Sequence, residues 1–238
     1  MKTFDQLKVK IFADGANLDA ILELYRNPYI TGFTTNPTLM RQSHITDYEK
    51  FSRQVLEYIP DRPVSFEVFS DEFDEMERQA HKIASWGKNV YVKIPVTNTR
   101  RVSAVELVSR LAAEGVQLNV TALMTLEQVR AVSAVLKDYA PSYISVFAGR
   151  IADTGRDPMP LMKEAVEIMS PYKTQELIWA SPRELLNIIH ADEIGCHIIT
   201  VTHDILKKLS LVGKDLDEYS LDTVKMFYTD AQKAGYWL

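Results

Sequence analysis

Short apolar, β-branched runs alternate with helix-patterned segments along this chain, and their spacing limits the fold more than any single residue does. The runs occupy residues 9–14, 30–34, 64–68, 90–95, 117–121, 143–147, 177–180 and 197–202. Helical patterns such as 47–58, 74–86, 103–114, 126–138 and 161–170 lie between them. Strand ends recur about every 27 residues, which suits one strand, one helix and two loops. Eight such units in 238 residues predict an α/β fold, a closed (β/α)8 TIM barrel. An open doubly wound sheet is the competing architecture. No Gly-x-Gly-x-x-Gly follows the first run, which counts against a dinucleotide-binding version of it. In this reading residues 1–217 are the barrel, and 218–238 are an extra C-terminal helix and tail. Leu221, Val224 and Tyr228 make one stripe on that helix, and Gly235-Tyr236-Trp237-Leu238 ends it. An apolar stripe with an aromatic end is expected to dock on its own barrel or on a neighbouring subunit.

Composition narrows the function classes. The chain is 46% apolar and 25% charged, with a net charge of −5, the balance of an ordinary globular protein. An acidic chain without long basic runs argues against nucleic-acid binding. No run of about 18 apolar residues is present, so no membrane span is expected. Residues 1–6 lack the apolar core of a signal peptide. The single Cys196 permits no intrachain disulfide. A cytoplasmic location fits these features. Cys196, His197 and His203 are weak metal ligands as a set, because Cys196 and His197 are adjacent and face opposite sides of a strand.

Lys93 is the unusual residue. It interrupts Val90-Tyr91-Val92-Lys93-Ile94-Pro95-Val96, and lysine is seldom buried unless paired or used. Burial disfavours the ammonium and should draw the amine below its ordinary pKa of about 10.4. A neutral amine attacks carbonyls to form Schiff bases. The alternative is that Lys93 sits at the strand end and snorkels to water. A barrel keeps its active site at the C-terminal ends of its strands. Those ends carry Asp14, Thr34 with Asn36, Glu67, Lys93, Asn119 with Thr121, Ser145 with Arg150, and Ser181 with Arg183. Most have a purely structural alternative. Asp14 can cap a helix starting near Asn17, and Asn36-Pro37 can open another. Ser181-Pro182 reads as an N-cap pair, and Arg183 as a surface charge. Glu67, set among Phe66, Val68 and Phe69, has the least comfortable structural explanation.

These residues fall in blocks that resemble the transaldolases, in particular the short ones that share ancestry with fructose-6-phosphate aldolases. The blocks are Phe12-Ala13-Asp14-Gly15-Ala16-Asn17, Gly32-Phe33-Thr34-Thr35-Asn36-Pro37-Thr38-Leu39, Val64-Ser65-Phe66-Glu67-Val68 and Val92-Lys93-Ile94-Pro95. Leu118-Asn119-Val120-Thr121, Ser145-Val146-Phe147-Ala148-Gly149-Arg150 and Ala180-Ser181-Pro182-Arg183 complete them. The resemblance implies a class I aldolase barrel with no metal or cofactor, acting on sugar phosphates. Lys93 would form the Schiff base. Asp14 would be the acid/base for carbon–carbon cleavage. Glu67 and Thr121 would hold a catalytic water. Thr34, Asn36 and Asn119 would bind donor hydroxyls, with Ser181 near the dihydroxyacetone portion. Arg150 and Arg183, with Ser145, would grip the phosphate. Val146 stands where the family usually has Pro, Pro182 where it has Phe or Ile, and Val201-Thr202-His203-Asp204 where short members often show Met-Pro.

The resemblance favours transaldolase over free aldolase at two positions. The aldolase branch tends to have Gln at the place of Glu67 and Tyr at that of Phe147. Without that phenol the dihydroxyacetone enamine would wait for an aldose acceptor. A barrel that binds a sugar phosphate without catalysis is the third reading, and Lys93, Asp14 and Glu67 argue against it. Short relatives typically form pentamers or decamers through the C-terminal helix, so a homo-oligomer is expected.

Overall fold

A computed structural model describes residues 6–237; residues 1–5 of the segment read for a signal peptide, and Leu238 of the apolar end, lie outside the described residues. The apolar runs become eight strands: β1 Lys10–Asp14, β2 Ile30–Thr34, β3 Val64–Glu67, β4 Val90–Pro95, β5 Leu118–Leu123, β6 Ser142–Val146, β7 Gln175–Trp179 and β8 Ile198–Thr202. They pair in parallel in chain order, and β8 closes on β1. The fold is therefore the expected (β/α)8 barrel and not an open sheet. The helices are α1 Leu18–Tyr25, α2 Pro37–Gln42, α3 Tyr48–Tyr58, α4 Phe73–Ala84, α5 Val105–Ala113 and α6 Leu126–Leu136. After these come α7 Ala148–Ala152, α8 Met159–Met169, α9 Leu186–Glu193, α10 His203–Leu206 and α11 Leu216–Ala234.

Strand alternation sorts side chains between two cores. One set faces the helices and joins residues such as Phe33, Phe66, Val92, Val120, Ile144 and Trp179 to the helix faces. The other set fills the barrel with Phe12, Tyr91, Tyr143, Ile178 and Ile198. Tyr91 stacks on Tyr143 at 4.0 Å, and Phe12 meets Tyr143 edge-on at 5.7 Å. A Cβ on Gly32 would lie 2.6 Å from the Phe12 ring, so the residue beside that ring has no room for a side chain. This aromatic plug closes the barrel from below and leaves the strand ends to form the site.

Three local departures from the sequence reading occur. β5 runs on to Leu123 because Ala122 takes a left-handed conformation (φ 65°) and shifts the register with β6 between Val120 and Leu123. Ser181-Pro182 does not open a helix. Ser181 is itself left-handed (φ 56°), and α9 starts at Leu186. α1 is capped by Asn17, which accepts from the Ala20 N–H at 2.9 Å, and not by Asp14. α11 begins at an Asp215 cap and ends at a left-handed Gly235, and none of its residues is buried. Among the described residues no helix is long and apolar enough to cross a membrane.

Candidate active site

A cavity of about 480 Å³ opens at the C-terminal ends of the strands. Its walls include Asp14, Thr34, Asn36, Glu67, Lys93, Asn119, Thr121, Ser145, Phe147, Arg150 and Ser181. One predicted residue, Arg183, is not brought in; its guanidinium pairs with Asp153.

Lys93 is 6% exposed, so it does not snorkel. Register places Glu67, Lys93 and Asn119 side by side on β3, β4 and β5. Lys93 Nζ lies 3.1 Å from Glu67 Oε2 and donates to the Thr35 carbonyl at 2.8 Å. The amine thus has a carboxylate and a carbonyl on one side and the cavity on the other. Asp14 accepts from Thr34 Oγ1 at 2.7 Å. Burial pushes its carboxyl above the ordinary 3.8, and nearby Glu67 adds to the rise; the Lys93 ammonium and the Thr34 hydrogen bond oppose it. Thr34 Oγ1 also lies 2.5 Å from Thr200 Oγ1. Since its one proton goes to Asp14, Thr200 is the donor in that contact.

Asn119 is held at both ends: its Nδ2 donates to Ser65 Oγ at 3.1 Å and its Oδ1 accepts from Ser145 Oγ at 2.7 Å. Thr121 Oγ1 is buried without a hydrogen-bond partner in the protein. A buried hydroxyl left open beside a cavity is suited to a water or substrate oxygen. Asn36 does the structural work its sequence suggested: it caps α2 by accepting from the Leu39 N–H at 3.0 Å, with Pro37 at the first helical position. It still lines the cavity. Arg150 lies over the Phe147 ring at 5.8 Å, which orients a guanidinium at the cavity mouth. Gly149 passes directly under the Ser181 carbonyl; a Cβ there would sit 1.5 Å from that oxygen.

Thr200 lines the cavity, and Ser65 orients Asn119, yet neither stood out in the sequence. Thr200 did carry a signal, a hydroxyl at the inward position of an Ile-Ile-Thr-Val run. The Cys196 thiol and His197 Nδ1 are already hydrogen-bonded inside the fold. Cys196 Sγ donates to the Leu177 and Ile198 carbonyls, and His197 Nδ1 accepts from the Leu177 N–H at 3.0 Å. Burial pushes the Cys196 thiol up to about 12.

The sequence model of the transaldolase/fructose-6-phosphate aldolase family matches residues 11–236. The chain belongs to that family. It is 35% identical over 203 residues to a probable transaldolase of Dehalococcoides mccartyi, covering 84% of this chain and 90% of the relative. A probable transaldolase of Thermoanaerobacter sp. is 32% identical over 229 residues, covering 95% and 99%. Probable transaldolase 2 of Listeria monocytogenes is 34% identical over 202 residues, covering 84% and 88%. A mandelate oxidase mutant with a monooxide FMN adduct superposes with a TM-score of 0.56 at 13% identity, covering 91% of this chain and 71% of its own. That likeness shows the barrel fold alone. The family match takes in every cavity residue named above, and it makes the chain an enzyme of carbohydrate metabolism.

Proposed function

We propose that this family member is a transaldolase that moves a dihydroxyacetone unit from a ketose phosphate, such as fructose 6-phosphate or sedoheptulose 7-phosphate, to an aldose phosphate. One observation carries the reading: a buried lysine, ion-paired to Glu67 at 3.1 Å, faces a cavity it shares with Asp14. Lys93 passes a proton to Glu67 and attacks the ketose carbonyl. Glu67 returns that proton to the hydroxyl of the resulting carbinolamine, the nitrogen lone pair closes the iminium, and the hydroxyl leaves as a water held by Glu67 and the open hydroxyl of Thr121. Asp14 takes the proton of the hydroxyl β to the imine, and the carbon–carbon bond breaks. The iminium accepts the electron pair as an enamine, and the first aldehyde leaves. A raised carboxyl pKa suits Asp14 to this traffic, because an acid/base works best when it titrates near the working pH. Thr34, Asn36, Asn119 and Ser181 meet donor hydroxyls, while Ser145 and Arg150 meet the phosphate. A second aldose then adds to the enamine, the steps reverse, and water releases the product.

Phe147 and Glu67 favour transfer over release of free dihydroxyacetone. No phenol stands at Phe147 to assist protonation of the enamine, and Glu67 stands where the aldolase branch tends to have Gln. The test is borohydride reduction in the presence of fructose 6-phosphate, followed by peptide mass spectrometry. The adduct is expected on Lys93; an adduct elsewhere, or none, defeats the mechanism. Turnover of fructose 6-phosphate is expected to be slow alone and fast with erythrose 4-phosphate. Equal rates would make the protein an aldolase.

A further inference from the structure

We infer that Tyr48 is a positioning residue that holds Glu67 against Lys93 by standing in for a missing strand. The role rests on the reading of Glu67 as the proton partner of Lys93. Pairing of β3 with β2 ends at Thr34 opposite Ser65, and one last bond runs from the Thr35 N–H to the Ser65 carbonyl at 3.2 Å. β2 then turns away into α2, whose cap is Asn36. Successive residues of a strand send their N–H and C=O to opposite neighbours. Val64 and Val68 donate toward β4, to the Asn89 and Lys93 carbonyls at 2.9 and 3.1 Å. Glu67 therefore points both its backbone groups toward the side that β2 has left.

The Tyr48 hydroxyl fills that place. It accepts from the Glu67 N–H at 2.8 Å and donates to the Glu67 carbonyl at 2.8 Å. A phenol can do both at once, having one proton and free lone pairs. Tyr48 is the first residue of α3, whose start is fixed by Asp47 accepting from the Lys50 N–H at 2.9 Å. Its ring packs edge-on against Phe69 at 5.4 Å and lies 6.2 Å from Trp86. Burial pushes the phenol well above its ordinary value, so it keeps the proton it donates. Without this contact two backbone groups at the end of β3 lose their partner, and the carboxylate they carry is free to swing from the amine.

The experiment combines amide hydrogen exchange with a mutant cycle. In the wild type the Glu67 amide should exchange as slowly as that of Val68, although no strand covers it. Tyr48→Phe should speed exchange at Glu67 by about tenfold or more and leave Val68 nearly unchanged. The same variant should slow borohydride-trapped adduct formation on Lys93 by about tenfold. In a Glu67→Gln background, adding Tyr48→Phe should cost less than about twofold more, because both changes act through one group. Fast wild-type exchange at Glu67, exchange untouched by Tyr48→Phe, or a full loss repeated in the Glu67→Gln background overturns the role. If the wild type gives no Lys93 adduct, the Schiff-base reading fails, and the exchange result alone decides whether Tyr48 holds Glu67.

Discussion

A carboxyl enclosed with an ammonium and a second carboxylate is pulled in two directions, and at Asp14 burial prevails. Its pKa lies above the ordinary 3.8, so the folded state binds that proton more tightly than the unfolded chain does. The sign follows from linkage: this preference favours folding below the unfolded value and is lost as pH rises through the folded one. Above the unfolded value Asp14 therefore weakens the fold relative to a neutral side chain in the same place. Asp14→Asn is expected to raise the Tm at neutral pH, with the gain shrinking toward about pH 4. Turnover should fall about a hundred- to ten-thousandfold, the usual loss for a general acid/base. Paired thermal melts and assays check both arms; an Asp14→Asn protein that is less stable at neutral pH contradicts the burial argument. The two arginines divide similarly by surroundings. Arg150 lines the cavity, whereas Arg183 is held by Asp153. Loss of a charge-assisted contact costs about 1.5–3 kcal/mol. Arg150→Ala should thus raise the KM for phosphorylated ketoses at least about tenfold and leave dihydroxyacetone use nearly unchanged, as steady-state kinetics on both substrates will show. Equal losses on both would remove the phosphate role.

Elements set what those residues can reach. α7 starts directly after β6 and crosses under the β7 end so closely that Gly149 and the Ser181 carbonyl nearly touch. A methyl at Gly149 would meet backbone, which cannot rotate aside. Overpacking of ordinary cores costs about 1–3 kcal/mol, and Gly149→Ala is expected to exceed about 3 kcal/mol in denaturant unfolding. A variant of wild-type stability would mean that the Ser181 turn is free to move. The same elements explain what could be read from the sequence. Strands were legible because barrel strands buried on both faces are continuous β-branched runs, and Lys93 because a lysine inside such a run has few explanations. The end of β5 was not legible: the left-handed Ala122 depends on how β6 packs beside it. Tyr48 was not legible either. Nothing in Asp47-Tyr48-Glu49 marks a contact to a residue 19 positions away, and its role arises only where β2 stops short. Asn36 shows the converse, where a local capping signal was visible and holds beside its place on the cavity wall.

At the scale of the whole molecule, the barrel is closed without α11, and α11 gains little from the barrel. It runs for 19 residues with none buried. Val224, Phe227 and Tyr228 are 59%, 63% and 67% exposed, and Tyr236 and Trp237 beyond it are 78% and 90% exposed. Most helical stability in proteins comes from packing an apolar face, not from propensity. A helix with good caps at Asp215 and Gly235 but no buried face lacks that support within one chain. Large aromatic groups left in water also make a sticky surface. Both problems disappear if the stripe of Leu221, Val224 and Tyr228 packs on another subunit, so we expect a homo-oligomer held through α11. Light scattering on the full chain should report an assembly of several subunits. Phe227→Glu combined with Val224→Glu should dissociate it while leaving the barrel's circular dichroism in place, and a chain ending at Gly213 should behave the same way. A monomeric full-length protein, or an assembly indifferent to both changes, would show that α11 serves something other than subunit contact.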